Sequence, residues 1–128
     1  MVGGPGACTP MAAPTLYGIP NCDTVKRARA WFRDQGIAID FHDFKKSGVP
    51  EAALDVWLAR LGWQALLNRK GSTWRQLPEA GRDAVQDSVS ARAVMLAHSS
   101  VIKRPVLRWP DGDLTLGFDA AAFLDKLA

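Results

Sequence analysis

The residue type most suited to covalent chemistry in this chain is the cysteine at position 22. Apolar residues recur after it at helical spacing, at Val25, Ala28 and Phe32. Asn21 is a preferred N-cap residue, so we expect Cys22 to lie in the first turn of a helix. Unpaired backbone N–H groups there favour an anion, and thiol pKa values at such positions fall from about 8.5 to roughly 3.5–7.5. The spacing therefore predicts a thiolate nucleophile at Cys22.

Cysteine usage predicts that this nucleophile works alone. The only other cysteine is Cys8, in a stretch rich in Gly and Pro, and Val25 stands where a Cys-x-x-Cys motif would place the second thiol. The resolving thiol is therefore expected from another molecule, with Cys8 as a minor alternative. A buried and unreactive Cys22 is the other interpretation that the residues leave open.

A second stretch, 102–106, carries the candidate partner of the cysteine. Pro105 has no N–H to donate and belongs at the start of a strand, so the strand is expected to begin after it. The guanidinium of Arg104 could stabilise a thiolate or hold an oxyanion or carboxylate through two hydrogen bonds. A salt bridge at a sheet edge is the alternative role for Arg104.

Phosphatase and metal chemistry fit the residues less well. A Cys-x5-Arg phosphate loop starting at Cys22 needs arginine at position 28, where the chain has Ala28 between Arg27 and Arg29. The two cysteines and two histidines show no ligand spacing, so no metal site is predicted. We expect His42 to be a surface or sheet-edge residue.

The elements around Cys22 follow a strand, helix, strand pattern. Residues 15–19 form a short apolar run, and the helix after Cys22 extends to about Gln35. Residues 37–42 alternate, which places Ile37, Ile39 and Phe41 on one face of a second strand. Such a unit implies a right-handed crossover and a parallel pair of strands.

The middle of the chain, about 47–99, shows helical patterns after a loop predicted at 45–48. A helix opened by Pro50 carries the apolar residues Leu54, Trp57, Leu58 and Leu61, and a short helical turn follows at 63–67. Residues 68–72 form a basic loop that either faces a ligand or is simply solvated. Ser90 is expected to cap a later helix with Ala91, Val94 and Met95 inward.

Strand patterns return at 106–109 and 114–118. The Asp111-Gly112 turn between them predicts a hairpin, and Asp119 is expected to cap a last helix. This order predicts an α/β protein with a thioredoxin-like mixed four-stranded sheet (βαβ…ββα) and a helical insertion between its halves. We expect residues 1–13 to form a disordered extension and 14–128 a single domain with the insertion at about 47–99.

Composition adds few constraints on function. The 128 residues are 48% hydrophobic and 23% charged with a net charge of +3, which is typical of one soluble domain and too mild to indicate a DNA-binding protein. No apolar run could cross a membrane and no signal peptide is evident, so we expect a cytoplasmic protein. We also expect a monomer that does not bind DNA. The five tryptophans are expected in the core.

Three motifs occur in order: Gly-Ile-Pro-Asn-Cys-Asp-Thr at 18–24, Ala-Leu-Leu-Asn-Arg-Lys-Gly at 65–71 and Ile-Lys-Arg-Pro at 102–105. With them, from about residue 15 to 118, the chain resembles the arsenate-reductase-like (ArsC/Spx) family, most of all its YffB-type branch of glutathione-dependent thiol reductases. The resemblance implies that Cys22 is the nucleophile and glutathione the co-substrate, with glutaredoxin as a further partner.

Two departures from the family pattern bear on the substrate. Arsenate reductases of this family carry His at the position of Gly18 and Ser at that of Val25, both of which are thought to tune the cysteine. They also use three arginines on the oxyanion, of which Arg104 matches one. Asn68 aligns with the second, with Arg69 one place further on.

The third arginine would fall near 117–118, where this chain has none. Losing one or two charge-assisted contacts, each worth roughly 1.5–3 kcal/mol, weakens recognition of a bare oxyanion. The resemblance therefore implies a relative of arsenate reductases that does not act on arsenate.

The predicted function is a monothiol, glutathione-dependent thiol/disulfide reductase or transferase. Cys22 and Arg104 are its predicted catalytic residues, and the residues expected to bind glutathione or substrate are Asn21, Asn68, Arg69 and Pro105. The alternative is an Spx-like, non-catalytic regulator that binds a protein partner such as RNA polymerase.

Overall fold

The computed structural model describes residues 13–127, which form two compact units. The first unit contains the residues up to His42 together with those from Pro105 onward, and the second is Asp43–Arg104. The second unit contains the whole of the helical insertion predicted at 47–99. The predicted N-terminal extension lies outside the described residues apart from Ala13.

A four-stranded sheet forms the centre of the first unit. Its strands are β1 (Thr15–Gly18), β2 (Asp40–Asp43), β3 (Val106–Arg108) and β4 (Leu114–Leu116), in the spatial order β2-β1-β3-β4. Strand β3 is antiparallel to both neighbours, with Val106 opposite Tyr17 on one side and Leu116 on the other. The predicted mixed α/β sheet is confirmed.

Two helices of the first unit supply the rest of its core. They are α1 (Asp23–Asp34) and α8 (Ala120–Leu127), and Asp119 caps α8 as predicted because its carboxylate accepts from the N–H groups of Ala121 and Ala122. The apolar face predicted for α1 is buried. The core cluster comprises Leu16, Val25, Ala28, Phe32, Leu107, Trp109 and Phe123.

The segment before β2 differs from the prediction in length. Strand pairing begins only at Asp40, whereas the alternating pattern predicted a strand over 37–42. Ile37, Ile39 and Phe41 nevertheless pack against the core cluster, so the predicted inward face is confirmed. The alternating apolar pattern therefore predicted correctly which side chains are buried. The backbone of residues 37–39, however, does not pair with a strand of the sheet.

The second unit is mainly helical. Its helices are α2 (Phe44–Ser47), α3 (Glu51–Leu61), α4 (Trp63–Leu66), α5 (Ser72–Gln76), α6 (Glu79–Asp83) and α7 (Ser88–Ala97), followed by a 3-10 turn at Ser99–Val101. The loop predicted at 45–48 is wrong. The carboxylate of Asp43 accepts from the N–H of Lys45 at 2.8 Å, and this cap starts a helical turn that Gly48 ends at φ 76°.

Helix α7 begins earlier than predicted. Its N-cap is Asp87, and the expected cap, Ser90, is the third residue of the helix. The two residues form a reciprocal capping box, in which Asp87 accepts from the N–H of Ser90 at 2.9 Å and the Ser90 hydroxyl accepts from that of Asp87 at 3.1 Å. Ala91 and Met95 are buried, as predicted.

The apolar stripe of α3 is also confirmed, with Leu54, Trp57 and Leu58 buried. Trp57 and Trp109 are core residues with 1% and 2% of their surface exposed, whereas Trp63 and Trp74 are only half-buried.

Within residues 13–127, no helix has both the length and the apolar character needed to span a bilayer.

Candidate functional site

A tight turn connects β1 to α1 and positions the cysteine. The N–H of Cys22 donates to the carbonyl of Ile19 at 3.2 Å, which closes a four-residue turn with Pro20 and Asn21 exposed at its centre. Proline suits the second position of such a turn because its ring fixes φ. The turn therefore delivers Cys22 directly to the beginning of α1.

The prediction that Asn21 caps α1 is wrong, because Cys22 itself is the N-cap. Cys22 has an extended backbone (φ −96°, ψ 128°), and its carbonyl accepts the first helical hydrogen bond from Lys26 at 2.9 Å. Asn21 is instead the third residue of the turn that Ile19 and Cys22 close. Cys22 thus stands one position earlier than expected, at the N-terminus of α1, where the first N–H groups have no partner within the helix.

The surroundings of Cys22 combine apolar packing with charge. The residue is half-buried and packs against the core cluster of the first unit. The N-terminus of α1 favours a thiolate, whereas the carboxylate of Asp23 in the first turn opposes one. Lys26 and Arg27 follow within the next turn, and both are exposed.

Positions that other cysteine enzymes use are filled by core residues here. Val25 and Ala28 stand where a Cys-x-x-Cys pair or a Cys-x5-Arg loop would continue, and both are fully buried. Gly18 packs so closely on this helix that a Cβ added to it would lie 2.7 Å from Cγ2 of Val25. The two residues that depart from the arsenate reductase pattern therefore contact each other.

Pro105 lies at the same end of the sheet as Cys22. It immediately precedes β3, whose first residue, Val106, is opposite Tyr17 near the end of β1. Pro105 is buried, and its carbonyl accepts from the N–H of Gly117 at 2.9 Å. The first unit thus brings together two of the predicted site residues, Cys22 and Pro105.

Arg104 belongs to the second unit and is anchored there. Its Nη1 donates to the carbonyl of Ser100 at 2.7 Å and to that of Ile102 at 3.3 Å. Its Nε is buried and has no hydrogen-bond partner among residues 13–127. The two backbone carbonyls therefore hold the guanidinium at Nη1, while the N–H at Nε can still donate a hydrogen bond.

Asn68 and Arg69 lie beside the segment that leads to Arg104. The N–H of Asn68 donates to the carbonyl of Val101 at 2.7 Å, next to an antiparallel bridge between Leu67 and Ile102. The second unit thus brings Asn68 and Arg69 together with the stretch before Arg104. No sequence pattern indicates that the backbone carbonyls of Ser100 and Val101 accept these hydrogen bonds from Arg104 and Asn68.

The side chains of the two loop residues are used differently. The side-chain oxygen Oδ1 of Asn68 accepts a hydrogen bond from the backbone N–H of Lys70 at 3.2 Å, and this bond shapes the loop. Arg69 is exposed, with its guanidinium 5.5 Å from the ring centroid of Trp63. Of the two side chains, Arg69 is therefore the exposed cation, and Asn68 is used within its own loop.

A metal centre is not found in the part of the chain that the structure describes: no three His, Cys, Asp or Glu side chains of residues 13–127 are grouped to hold an ion. His42 lies on the edge strand β2 with its ring 5.3 Å from that of Tyr17. This is the sheet-edge position predicted for it.

Comparison with known proteins gives the family. The model of the ArsC family matches residues 17–125. The chain belongs to the ArsC family. An uncharacterized protein of Haemophilus influenzae is 36% identical over 105 residues, which cover 82% of this chain and 90% of that protein.

Two solved structures of ArsC relatives extend the match to the fold. The YFFB (PA3664) protein is 45% identical with a TM-score of 0.84, covering 91% of this chain and 100% of that one. An arsenate reductase (ArsC) related protein from Brucella melitensis is 48% identical with a TM-score of 0.70, covering 95% and 97%. The thioredoxin-like ArsC fold and the family predicted from the three motifs are confirmed.

Proposed function

We propose that this ArsC family member is a monothiol, glutathione-dependent thiol/disulfide reductase or transferase that does not use arsenate. The observation that carries the proposal is the position of Cys22 at the N-cap of α1, with buried Val25 three residues on. A thiol at a helix N-terminus is favoured as the nucleophilic thiolate. A buried valine in place of a second cysteine makes the cycle depend on an external thiol.

In the proposed cycle, the Cys22 thiolate attacks the glutathione sulfur of a mixed disulfide between glutathione and a substrate thiol. The bond between Cys22 and that sulfur forms as the disulfide breaks, and the other sulfur leaves as a thiolate. A second glutathione thiolate then attacks the glutathione sulfur of the Cys22 adduct, which releases the Cys22 thiolate and forms glutathione disulfide. Glutathione supplies the two electrons, and no metal takes part.

Arginine recognition of a carboxylate would position glutathione or the substrate. The support for Arg104 in this role is its guanidinium, which two backbone carbonyls hold at Nη1 while Nε has no partner among the described residues. Arg69 is the second cation of the proposal, Asn21 and Asn68 would offer polar contacts, and Pro105 would shape the groove. Glutaredoxin would serve as an additional reductant of a monomeric, cytoplasmic protein.

The packing of Gly18 supports a substrate other than arsenate. A side chain at position 18 would collide with Cγ2 of Val25, so this chain has no room there for the histidine expected of an arsenate reductase. Asn68, at the place of a second arginine, uses its side-chain oxygen within its own loop.

Intact-mass spectrometry after incubation with glutathione disulfide tests the proposal. We expect one glutathione adduct per chain on the wild type and on Cys8→Ser, and its loss in Cys22→Ser. Added reduced glutathione should then remove the adduct. No adduct across neutral pH, or an adduct on Cys8 alone, would show that Cys22 is not the nucleophile.

A further inference from the structure

A groove of about 630 Å³ runs along α1 in the first unit. Lys26, Arg29 and Arg33 line one side of it, and Ile37 and Ile39, from the segment before β2, line the other. We call this feature the basic groove. Its volume is within the range of about 300–1,000 Å³ that is usual for binding sites.

The three cations form a straight stripe. Their spacing of three and four residues places them on one face of the helix, over a length of about 10 Å at 1.5 Å per residue. All three are exposed. The guanidinium carbon of Arg29 lies 4.2 Å from the ring centroid of Phe41, a cation–π distance that holds this side chain over the apolar wall.

The charge of the stripe is not neutralised by neighbouring side chains. Among residues 13–127, no carboxylate forms an ion pair with these three cations. Two cations elsewhere in the described residues do form ion pairs, Arg92 with Glu51 and Asp55, and Lys126 with Asp111 and Asp113. Three adjacent unpaired cations create a positive potential that attracts an anionic partner.

We propose that the basic groove binds an acidic amphipathic helical segment of a partner protein. Carboxylates one turn apart on that segment would meet the stripe, and an apolar side chain between them would pack on Ile37 and Ile39. This surface goes beyond the proposed thiol chemistry, because none of its contacts requires the Cys22 sulfur.

The charges argue against other occupants. Residues 1–12 contain no Asp or Glu, so the N-terminal segment cannot complement the stripe. Two acidic pairs of a second copy are already engaged, Glu51 and Asp55 by Arg92, and Asp111 and Asp113 by Lys126. Glu79 and Asp83 are one turn apart as well, but their helix has only five residues and carries Arg82 beside them. A nucleic acid would need a longer cationic track and free aromatic faces, whereas Arg29 covers Phe41.

Fluorescence anisotropy with a labelled synthetic helix tests this surface. The probe carries Glu at positions i, i+3 and i+7 with Leu between them, and its control replaces each Glu by Gln. With the full chain, we expect the double variant Lys26→Glu/Arg33→Glu to bind at least about tenfold more weakly, a loss of about 1.4 kcal/mol. Arg27→Glu reverses one charge on the same helix outside the groove, half the charge change of the double variant, and it should change affinity less than about twofold.

Cys22→Ser should bind the probe as the wild type does, so failure of the thiol chemistry would leave this result intact. Circular dichroism of each variant confirms that α1 is folded. Equal losses for Arg27→Glu and the double variant, or equal binding of the Gln peptide, would overturn the proposal. A single-stranded oligonucleotide that competes as strongly as the probe, or dimerisation abolished by the double variant, would overturn it as well.

Discussion

Replacing Gly18 by alanine is expected to destabilise the first unit, because the new methyl group would lie 2.7 Å from Cγ2 of Val25. Carbon atoms pack best at about 3.5–4.0 Å, and valine in a helix has little freedom to rotate away. Overpacking of a core costs about 1–3 kcal/mol, and the lower chain entropy of alanine returns about 0.4–1 kcal/mol. The net loss of stability should be about 1–2 kcal/mol.

A double-mutant cycle isolates this contact. Val25→Ala alone removes two buried carbons and should cost about 2 kcal/mol. In Gly18→Ala/Val25→Ala the two methyl groups no longer collide, so the double variant should be about as stable as Val25→Ala. The expected coupling energy is about 1–2 kcal/mol in favour of the pair.

Urea unfolding followed by circular dichroism measures each corner of the cycle. With a slope of about 1.5 kcal/mol/M, Gly18→Ala should lower the midpoint by about 1 M. Gly81→Ala is a matched control, since its Cβ would lie 3.9 Å from Cδ of Pro78, an ordinary contact, and it should not be destabilising. Additive effects of Gly18→Ala and Val25→Ala, within about 0.5 kcal/mol, would refute this explanation of the missing side chain at position 18.

Three further predictions concern charged groups. Hydrogen bonds from Ser90, first of all its backbone N–H, hold the pKa of Asp87 below its ordinary value of 3.8. The Tm difference between wild type and Asp87→Ala should therefore be complete near neutral pH and vanish as the pH falls below 3.8. The hydrogen bond with Asp113 raises the pKa of Lys126 above 10.5, so the lower Tm of Lys126→Met should be evident at neutral pH and lost as the pH rises past 10.5. Under the proposed function, Arg104→Lys keeps the charge but not the planar fork, and stopped-flow measurement should show mixed-disulfide formation slowed by at least about tenfold.

Periodicity and turn chemistry predicted most of the fold. The buried face of α1 followed from Val25, Ala28 and Phe32 because helical spacing alone decides which side chains share a face. The hairpin followed from Asp111-Gly112, since Gly112 adopts φ 89°, a conformation that glycine provides without strain.

The errors occurred where two residues compete for one local role. Asn21 and Cys22 both precede α1, and the sequence could not show that a turn closed at Ile19 would use Asn21. Asp87 and Ser90 are both good N-caps, and the capping box uses them together in the order that a helix starting at Ser88 requires. Residue preference names the candidates, but only the path of the backbone selects between them.

The residues proposed for the candidate site could be predicted from the sequence, but the packing contacts around them could not. Cys22 and Arg104 were identified from the motifs around them, whereas the contact of Gly18 with Val25 joins a strand to a helix and leaves no local pattern. The spacing of Lys26, Arg29 and Arg33 places three cations on one helix face, but the apolar wall formed by Ile37 and Ile39 depends on the path of the chain after α1.

The most direct test of the account is the pH dependence of Cys22 alkylation by iodoacetamide, measured in Cys8→Ser so that one thiol reports. We expect the midpoint of the rate profile below the ordinary thiol pKa of about 8.5. Asp23→Asn should lower it further, because it removes the carboxylate from the first turn of α1. A midpoint at or above about 8.5, unchanged by Asp23→Asn, would contradict the claim that the start of α1 activates Cys22.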